Sequence, residues 1–345
     1  MNTTSFEEKY SQAKTWLKSK KLHAAILEDP SDLFYWTGIH LSLGTLLITK
    51  RDVKLFVDAR YIEACLKKAP MKAALIAKMK LPKGAIGFDS TTTSCERLST
   101  LKKLSKGDVK WKPCPNMGKQ RRLIKQNSEI KKIKQACDLA CSAMSYVKSL
   151  LKVGVSEKEV AQKIELFYLQ HEARLSFDPI VAFGANSAMP HYTPGKATLK
   201  KGDIALIDMG CKIEGFCSDM TRVFFCDKPP EEILNAYNAV KKALEDAMQL
   251  CKPEALISSL DQAAKSAILE KDFSCYQHAL GHGVGVEVHE LPFVSGKKGL
   301  GHLEAGMVIT LEPGIYIPGL GGIRLENQVL ITPSGHKNLT PFELY

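Results

Sequence analysis

None of the ten cysteines stand in a C-x-x-C pair, which argues against a zinc ribbon or a thioredoxin-like redox site. No apolar run approaches the roughly 20 residues needed to cross a bilayer; residues 33–36 and 46–49 have the length of buried strands instead. The first eight residues carry neither a basic cluster nor an apolar stretch, so no secretory leader is expected and the default compartment is the cytoplasm. Thiols in that compartment are expected to stay reduced. The composition has no extreme: 45% hydrophobic and 25% charged residues over 345 positions exclude a disordered chain, a collagen and a coiled-coil rod. That length allows one large domain or two ordinary ones.

Acid is scarce in the front of the chain. Residues 1–127 hold 25 Lys and Arg against 11 Asp and Glu, a surplus of +14, whereas residues 128–345 hold 23 against 26, a balance of −3. A basic front and an acidic back suggest two units. With no nucleic-acid-binding motif present, a solvated lysine-rich surface explains the surplus more simply than nucleic acid does.

Strands alternate with helices in the front: a helix over 6–22, strands at 24–27, 46–49, 54–57 and 85–88, helices at 59–68 and 94–104. Residues 112–118, with two prolines and a glycine, form the best linker candidate. Beyond it, apolar residues at Ile130, Ile133, Cys137, Cys141, Met144, Val147 and Leu151 mark one helix face. Ser156 and Glu159 form a capping box that opens a second helix. Strands are expected at 178–183, 204–209 and 215–225. Two helices (230–251, 258–269) and strands (307–311, 323–331) then repeat that order, suggesting two similar halves with a site between them.

Four segments carry the chemistry. Asp208 lies in an apolar strand, and a turn at 212–215 folds Asp219 back toward it. Two carboxylates in an apolar sheet are costly unless a cation neutralises them; a salt bridge to Arg222 is the plainer alternative. His282 and His289 flank a glycine-rich turn, where glycine lets backbone crowd a site. Glu312 ends an apolar strand before Pro313-Gly314. Arg324 and Glu326 stand i and i+2 on an expected strand, so they are expected to share one face. Asp208, Asp219, His282, Glu312 and Glu326 together make an oxygen-rich set with too much charge for one zinc ion. It suits two divalent ions, manganese foremost, with cobalt or zinc as alternatives. Two such ions ~3.5–4 Å apart polarise a carbonyl and activate water, which points to hydrolysis of an amide or ester.

These segments, with residues 177–192 around His191, resemble the pita-bread metallopeptidases, most closely the Xaa-Pro peptidases (aminopeptidase P and prolidase). The resemblance implies an α/β (α+β) architecture: a creatinase-like N-terminal α/β domain over 1–125, then a pita-bread domain over 126–345 with pseudo-twofold halves. It implies a bidentate Asp208, bridging Asp219 and Glu326, and His282 and Glu312 on the other ion, Glu312 also taking the proton of the attacking water. His289 resembles the residue at the scissile carbonyl oxygen, His191 the one near the scissile nitrogen, and Arg324 the arginine that organises the site. The implied activity is removal of an N-terminal residue before proline, with a proline-containing peptide as substrate. A homodimer or higher assembly is implied too; from the sequence itself no membrane is expected, and nucleic acid is not the expected partner. Prolidase action on Xaa-Pro dipeptides is the alternative enzyme, separated by whether a positive group closes the C-terminal side of the pocket. His40 lies in a loop of the kind that contributes there, though a surface histidine is the simpler account. Outside enzymes, the alternative is a non-catalytic homologue binding protein or RNA through Lys102, Lys103, Lys106, Lys110 and Lys112. Loss of a metal ligand would mark that fate, and none is lost. Arg121 and Arg122 are expected to dock the domains.

Overall fold

The computed structural model describes residues 3–105, 107 and 109–345, which divide into two units, Met1–Arg122 and Leu123–Tyr345. In the first, α1 (Thr3–Ser19) leads into β1 (Ala24–Leu27). The run at 33–36, expected as a strand, lies instead in α2 (Pro30–Thr37). The cause is local. Asp29 accepts from the amides of Ser31 and Asp32, Pro30 sits in the first turn where its missing N–H is harmless, and Gly38 ends the helix at φ 70°. Then follow β2 (Thr45–Thr49), β3 (Val53–Val57), α3 (Ile62–Lys68), β4 (Lys72–Leu75), β5 (Gly84–Phe88), α4 (Cys95–Leu104), β6 (Val109–Pro113) and α5 (Met117–Arg121). The strands make one sheet ordered β4-β3-β2-β1-β5-β6. Its edge strands β4 and β6 were not foreseen, because lysines interrupt their apolar pattern. At a sheet edge, exposed Lys72 and Lys110 discourage pairing with another chain.

Residues 112–118 are no linker: they are the end of β6 and the start of α5. Arg121 and Arg122 are likewise engaged within the first unit, Arg122 by buried Asp32 and Arg121 over the Trp16 ring. His40 stacks on Phe34 at 4.5 Å. Lys106, part of the basic cluster, lies outside the described residues.

The second unit repeats one plan. Helices α6 (Asn127–Leu150) and α7 (Glu157–Gln170) bury the expected faces, with Ile133, Cys137, Met144 and Val147 on the first and Val160 and Ile164 on the second. Ser156 caps α7 by accepting from the Glu159 amide at 3.2 Å. After β7 (Arg174–Leu175) come β8 (Ile180–Phe183), β9 (Ile204–Met209), β10 (Cys211–Ile213), β11 (Phe216–Cys217) and β12 (Met220–Phe225). Strands β12-β9-β8 form an antiparallel sheet over an apolar core shared with α6 and α7. The second half supplies α8 (Glu231–Gln249) and α9 (Ile257–Leu269), then β13 (Gly281–Gly283), β14 (Glu290–Val294), β15 (Val308–Leu311), β16 (Gly314–Ile317), β17 (Gly321–Arg324), β18 (Asn327–Thr332) and β19 (Gly335–Asn338). Its sheet runs β14-β13-β15-β18-β19 over a second core, with β16 and β17 as a separate hairpin. Helix, helix, antiparallel sheet thus occurs twice, as the sequence pattern suggested.

Two expected strands are broken at functional positions. The 215–225 stretch is interrupted at Ser218 and Asp219, and the 323–331 stretch at Leu325 and Glu326. Arg324 therefore belongs to β17, paired with β16, while Glu326 lies in the step into β18, so the two do not share one strand's face. All ten cysteines are free, with Cys65, Cys137, Cys211, Cys217 and Cys251 buried. Among the described residues, no helix is long and apolar enough to cross a membrane.

Candidate metal centre and active site

Two antiparallel strand pairs, one from each half, meet at the site. In the first, Asp208 on β9 lies opposite Thr221 on β12, and Asp219 immediately precedes β12. In the second, Glu312 follows β15 and Glu326 precedes β18, so both flank the terminal Leu311–Asn327 rung. The pairs are joined directly. The Glu326 amide donates to Thr221 O at 3.1 Å, the Thr221 hydroxyl to Glu326 Oε2 at 2.8 Å, and the Asp219 amide to Gln328 Oε1 at 2.9 Å. His282 comes from β13, which crosses β15 so closely that a Cβ on Gly281 would lie 2.0 Å from Thr310 O. Gly210 is needed for the same reason: its Cβ would lie 2.0 Å from Ser218 O, between the two aspartates in sequence.

These side chains line one cavity of about 510 Å³ within the second unit, together with His191, His278, His289, Phe293 and Arg324. Ligand atoms of Asp219, His282 and Glu326 all lie within 4.8 Å of one another. His282 Nε2 stands 3.6 Å from Asp219 Oδ2 and 3.5 Å from Glu312 Oε1. Asp208 joins through Arg324, whose Nη2 donates to Asp208 Oδ2 at 2.7 Å. Its other oxygen, Oδ1, is buried without a hydrogen bond among the described residues, so a two-oxygen ligand would share Oδ2 with the guanidinium. Arg222, the alternative partner for an aspartate, instead donates to the carbonyls of Thr221, Glu326, Thr340 and Phe342 and to Asn327 Oδ1.

The electrostatics fit a cation site. Burial, and then the neighbouring His289, pull His282 down to about 4, so its ring is neutral near pH 7. Its Nδ1–H donates to Gly283 O at 3.1 Å, leaving the Nε2 lone pair facing two carboxylates. Acceptors facing acceptors at these distances repel unless a cation lies among them. The carboxylates carry the same strain. Burial first, and then Glu326, hold Asp219 and Glu312 well above the usual carboxylate range; burial and Asp208 push Glu326 to about 8. Divalent ions would reverse both effects. His191 and His289 are exposed on the wall, and the His289 ring stands edge-on to His282 at 4.4 Å.

All eight residues singled out from the sequence thus line this cavity. Sequence reasoning missed the residues that hold them: Thr221, Gln328 and Tyr316, whose hydroxyl accepts from Arg324 Nη1 at 3.0 Å. It also missed His278, which lines the cavity beside the same Tyr316 hydroxyl, 3.0 Å from its Nε2. Thr221 lay inside a segment already flagged; the rest carried no charge pattern to mark them.

The model for metallopeptidase family M24 matches residues 131–333, and that for the creatinase/prolidase N-terminal domain matches residues 9–124. An uncharacterized peptidase of Staphylococcus saprophyticus is 35% identical over 97% of this chain and 99% of its own length. A solved Xaa-Pro dipeptidase from Bacillus anthracis superposes with a TM-score of 0.92 at 29% identity, covering 99% of each chain. The prolidase from Pyrococcus horikoshii does so with a TM-score of 0.90 at 32% identity, covering 98% of this chain and 99% of its own. The chain belongs to metallopeptidase family M24, with a creatinase/prolidase N-terminal domain ahead of a pita-bread domain.

Proposed function

We propose that this metallopeptidase is a Xaa-Pro aminopeptidase, removing the residue before proline from peptides longer than two residues, with two divalent ions, manganese foremost. The observation that carries the hydrolase is the donor set: four carboxylates and a neutral imidazole lone pair lining one cavity of the second unit. Asp208, Asp219, His282, Glu312 and Glu326 would hold the ions. When bound, the ions supply a Lewis acid for the scissile carbonyl and a nucleophilic water at neutral pH. The chain's own groups do the rest. Glu312 accepts the proton released as water adds to the carbonyl carbon. His289 donates to the carbonyl oxygen as it gains negative charge. His191 serves the proline nitrogen, which must gain a proton as the C–N bond breaks. Arg324 holds Asp208 in place and donates to Pro190 O at 3.2 Å, next to His191.

The cavity lining favours a peptide that continues past proline. Arg324 is the one arginine or lysine lining the cavity among the described residues, and four of its five N–H donors are committed to Asp208, Pro190, Tyr316 and Thr221. A dipeptide's free carboxylate meets there only a cation already engaged by Asp208, and Phe293, 48% exposed, shares the lining. The prolidase reading is favoured by the two solved structures described above, a dipeptidase and a prolidase. Hydrolysis of Ala-Pro and Ala-Pro-Pro by the manganese-loaded protein separates the two. The tripeptide is expected to show a kcat/KM at least ~10-fold higher, the gain from moving the free carboxylate one residue away from the scissile bond. Preference for the dipeptide makes the protein a prolidase, and cleavage of neither sinks both readings.

A further inference from the structure

Glu157 is the first residue of α7 and is fully buried, although Ser156 already caps that helix. Four hydrogen bonds to its carboxylate all come from one segment, residues 183–195. Oε1 accepts from the Phe183 amide at 2.8 Å and from Asn186 Nδ2 at 2.9 Å; Oε2 accepts from the Tyr192 hydroxyl at 2.8 Å and from the Gly195 amide at 3.0 Å. Asn186 Nδ2 also reaches the Tyr192 hydroxyl at 2.9 Å, which closes the ring of contacts. Main chain reinforces it, with the Glu157 amide donating to Ala197 O at 3.0 Å and the Lys158 amide to Gly195 O at 2.9 Å.

Between those anchor points lie residues 190–194, five consecutive residues that line the cavity and include His191. One carboxylate thus grips this wall before, within and after its cavity-lining stretch. Only a carboxylate suits the position. An ionised carboxylate is acceptor-only, with about four lone-pair sites, and four donors converge on it. In the isosteric amide one oxygen becomes an NH₂ group that faces N–H or O–H donors.

We propose that Glu157 is the positioning residue of this wall, fixing where His191 meets the substrate; this rests on the role given to His191 above. It touches no reacting atom. Its effect comes from geometry, and a displacement of about 1 Å at a catalytic group costs on the order of 100-fold in rate.

The test compares Glu157→Gln and Tyr192→Phe with wild type, all manganese-loaded, with rates normalised to folded, metal-bound protein. Tyr192→Phe keeps three of the four bonds, so it guards against a Glu157→Gln protein that does not fold. Glu157→Gln is expected to lower kcat on Ala-Pro-Pro at least ~10-fold with little change in KM, and Tyr192→Phe to lower it by a smaller factor. Amide hydrogen exchange is expected to rise about 10-fold or more in residues 183–195 and to stay at the wild-type level in 203–225. Unchanged exchange in residues 183–195 overturns the proposal, with or without activity. Faster exchange with unchanged kcat overturns it too, since the carboxylate would then be structural only. A wild-type protein inactive on Xaa-Pro peptides refutes the functional reading instead, a result the exchange comparison keeps separate.

Discussion

Removing the metal should make the fold sensitive to alkali, with a sign and size that follow from the site. Glu326 moves from an ordinary 4.5 to about 8 because burial and Asp208 oppose its charge. A carboxyl raised in the folded state contributes stability that is complete below its unfolded value and is lost as pH rises through the folded value. His282 has the opposite sign, since its lowered value costs stability only as pH falls from 6.5 toward about 4. Above pH 6.5 that histidine is silent and the carboxylates act alone. Between pH 6.5 and 8 the unfolded chain has lost the proton while folded Glu326 keeps it. At ~1.4 kcal/mol per pH unit, the metal-free fold therefore loses about 2 kcal/mol over that range from Glu326 alone. Asp219 and Glu312 shift in the same direction and add to it. For a unit of this size, ~2–4 °C per kcal/mol gives a fall in melting temperature of about 4–8 °C. The assay is thermal unfolding at pH 6.5 and pH 9, with EDTA and with manganese. Comparing the two states at each pH cancels titrations elsewhere in the chain. The melting-temperature gap between loaded and stripped protein should widen by at least those few degrees at pH 9. A gap that is constant or narrows would refute the assignment of these buried carboxyls to one cation site.

Two substitutions probe the same centre. Glu312→Gln keeps the side chain's shape and should fold normally, while turnover on Xaa-Pro peptides drops ~10²–10⁴-fold, the usual contribution of a proton-transfer group; near-normal turnover removes Glu312 from the mechanism. Gly281→Ala should drive β13 and β15 apart, because the new Cβ would sit 2.0 Å from Thr310 O. We expect manganese affinity, measured by calorimetry, to fall at least ~10-fold as His282 moves, and unchanged affinity would mean that the strands slip past the methyl at no cost.

The residues of the candidate site stood out in the sequence because they break a rule. Asp208 interrupts an otherwise apolar strand, where a carboxylate is costly without a cation, and Glu312 closes another. Helix faces in the second unit were legible for the complementary reason: Ile233, Tyr237, Val240 and Leu244 repeat at helical spacing and are buried as expected. The misses are also physical. Residues 33–36 are apolar on every side, a pattern that fits a buried helix as well as a strand, and the decisive signals were the cap at Asp29 and the stop at Gly38. The breaks at Asp219 and Glu326 are imposed by pairing across the sheet, which local propensity does not encode. Glu157 stands in the first turn of a helix, where an acid is ordinary, and its four carboxylate contacts come only from the returning 183–195 segment.

The joining of two strand pairs has a consequence for when the enzyme becomes active. Asp208 and Asp219 come from the first half of the second unit, His282, Glu312 and Glu326 from the other, and the Thr221–Glu326 bonds form only once both are in place. A growing chain therefore carries the candidate ligands as two incomplete sets, separated by a long stretch of sequence. The proposed site is assembled only when tertiary structure is complete, and neither half alone holds all five candidate ligands.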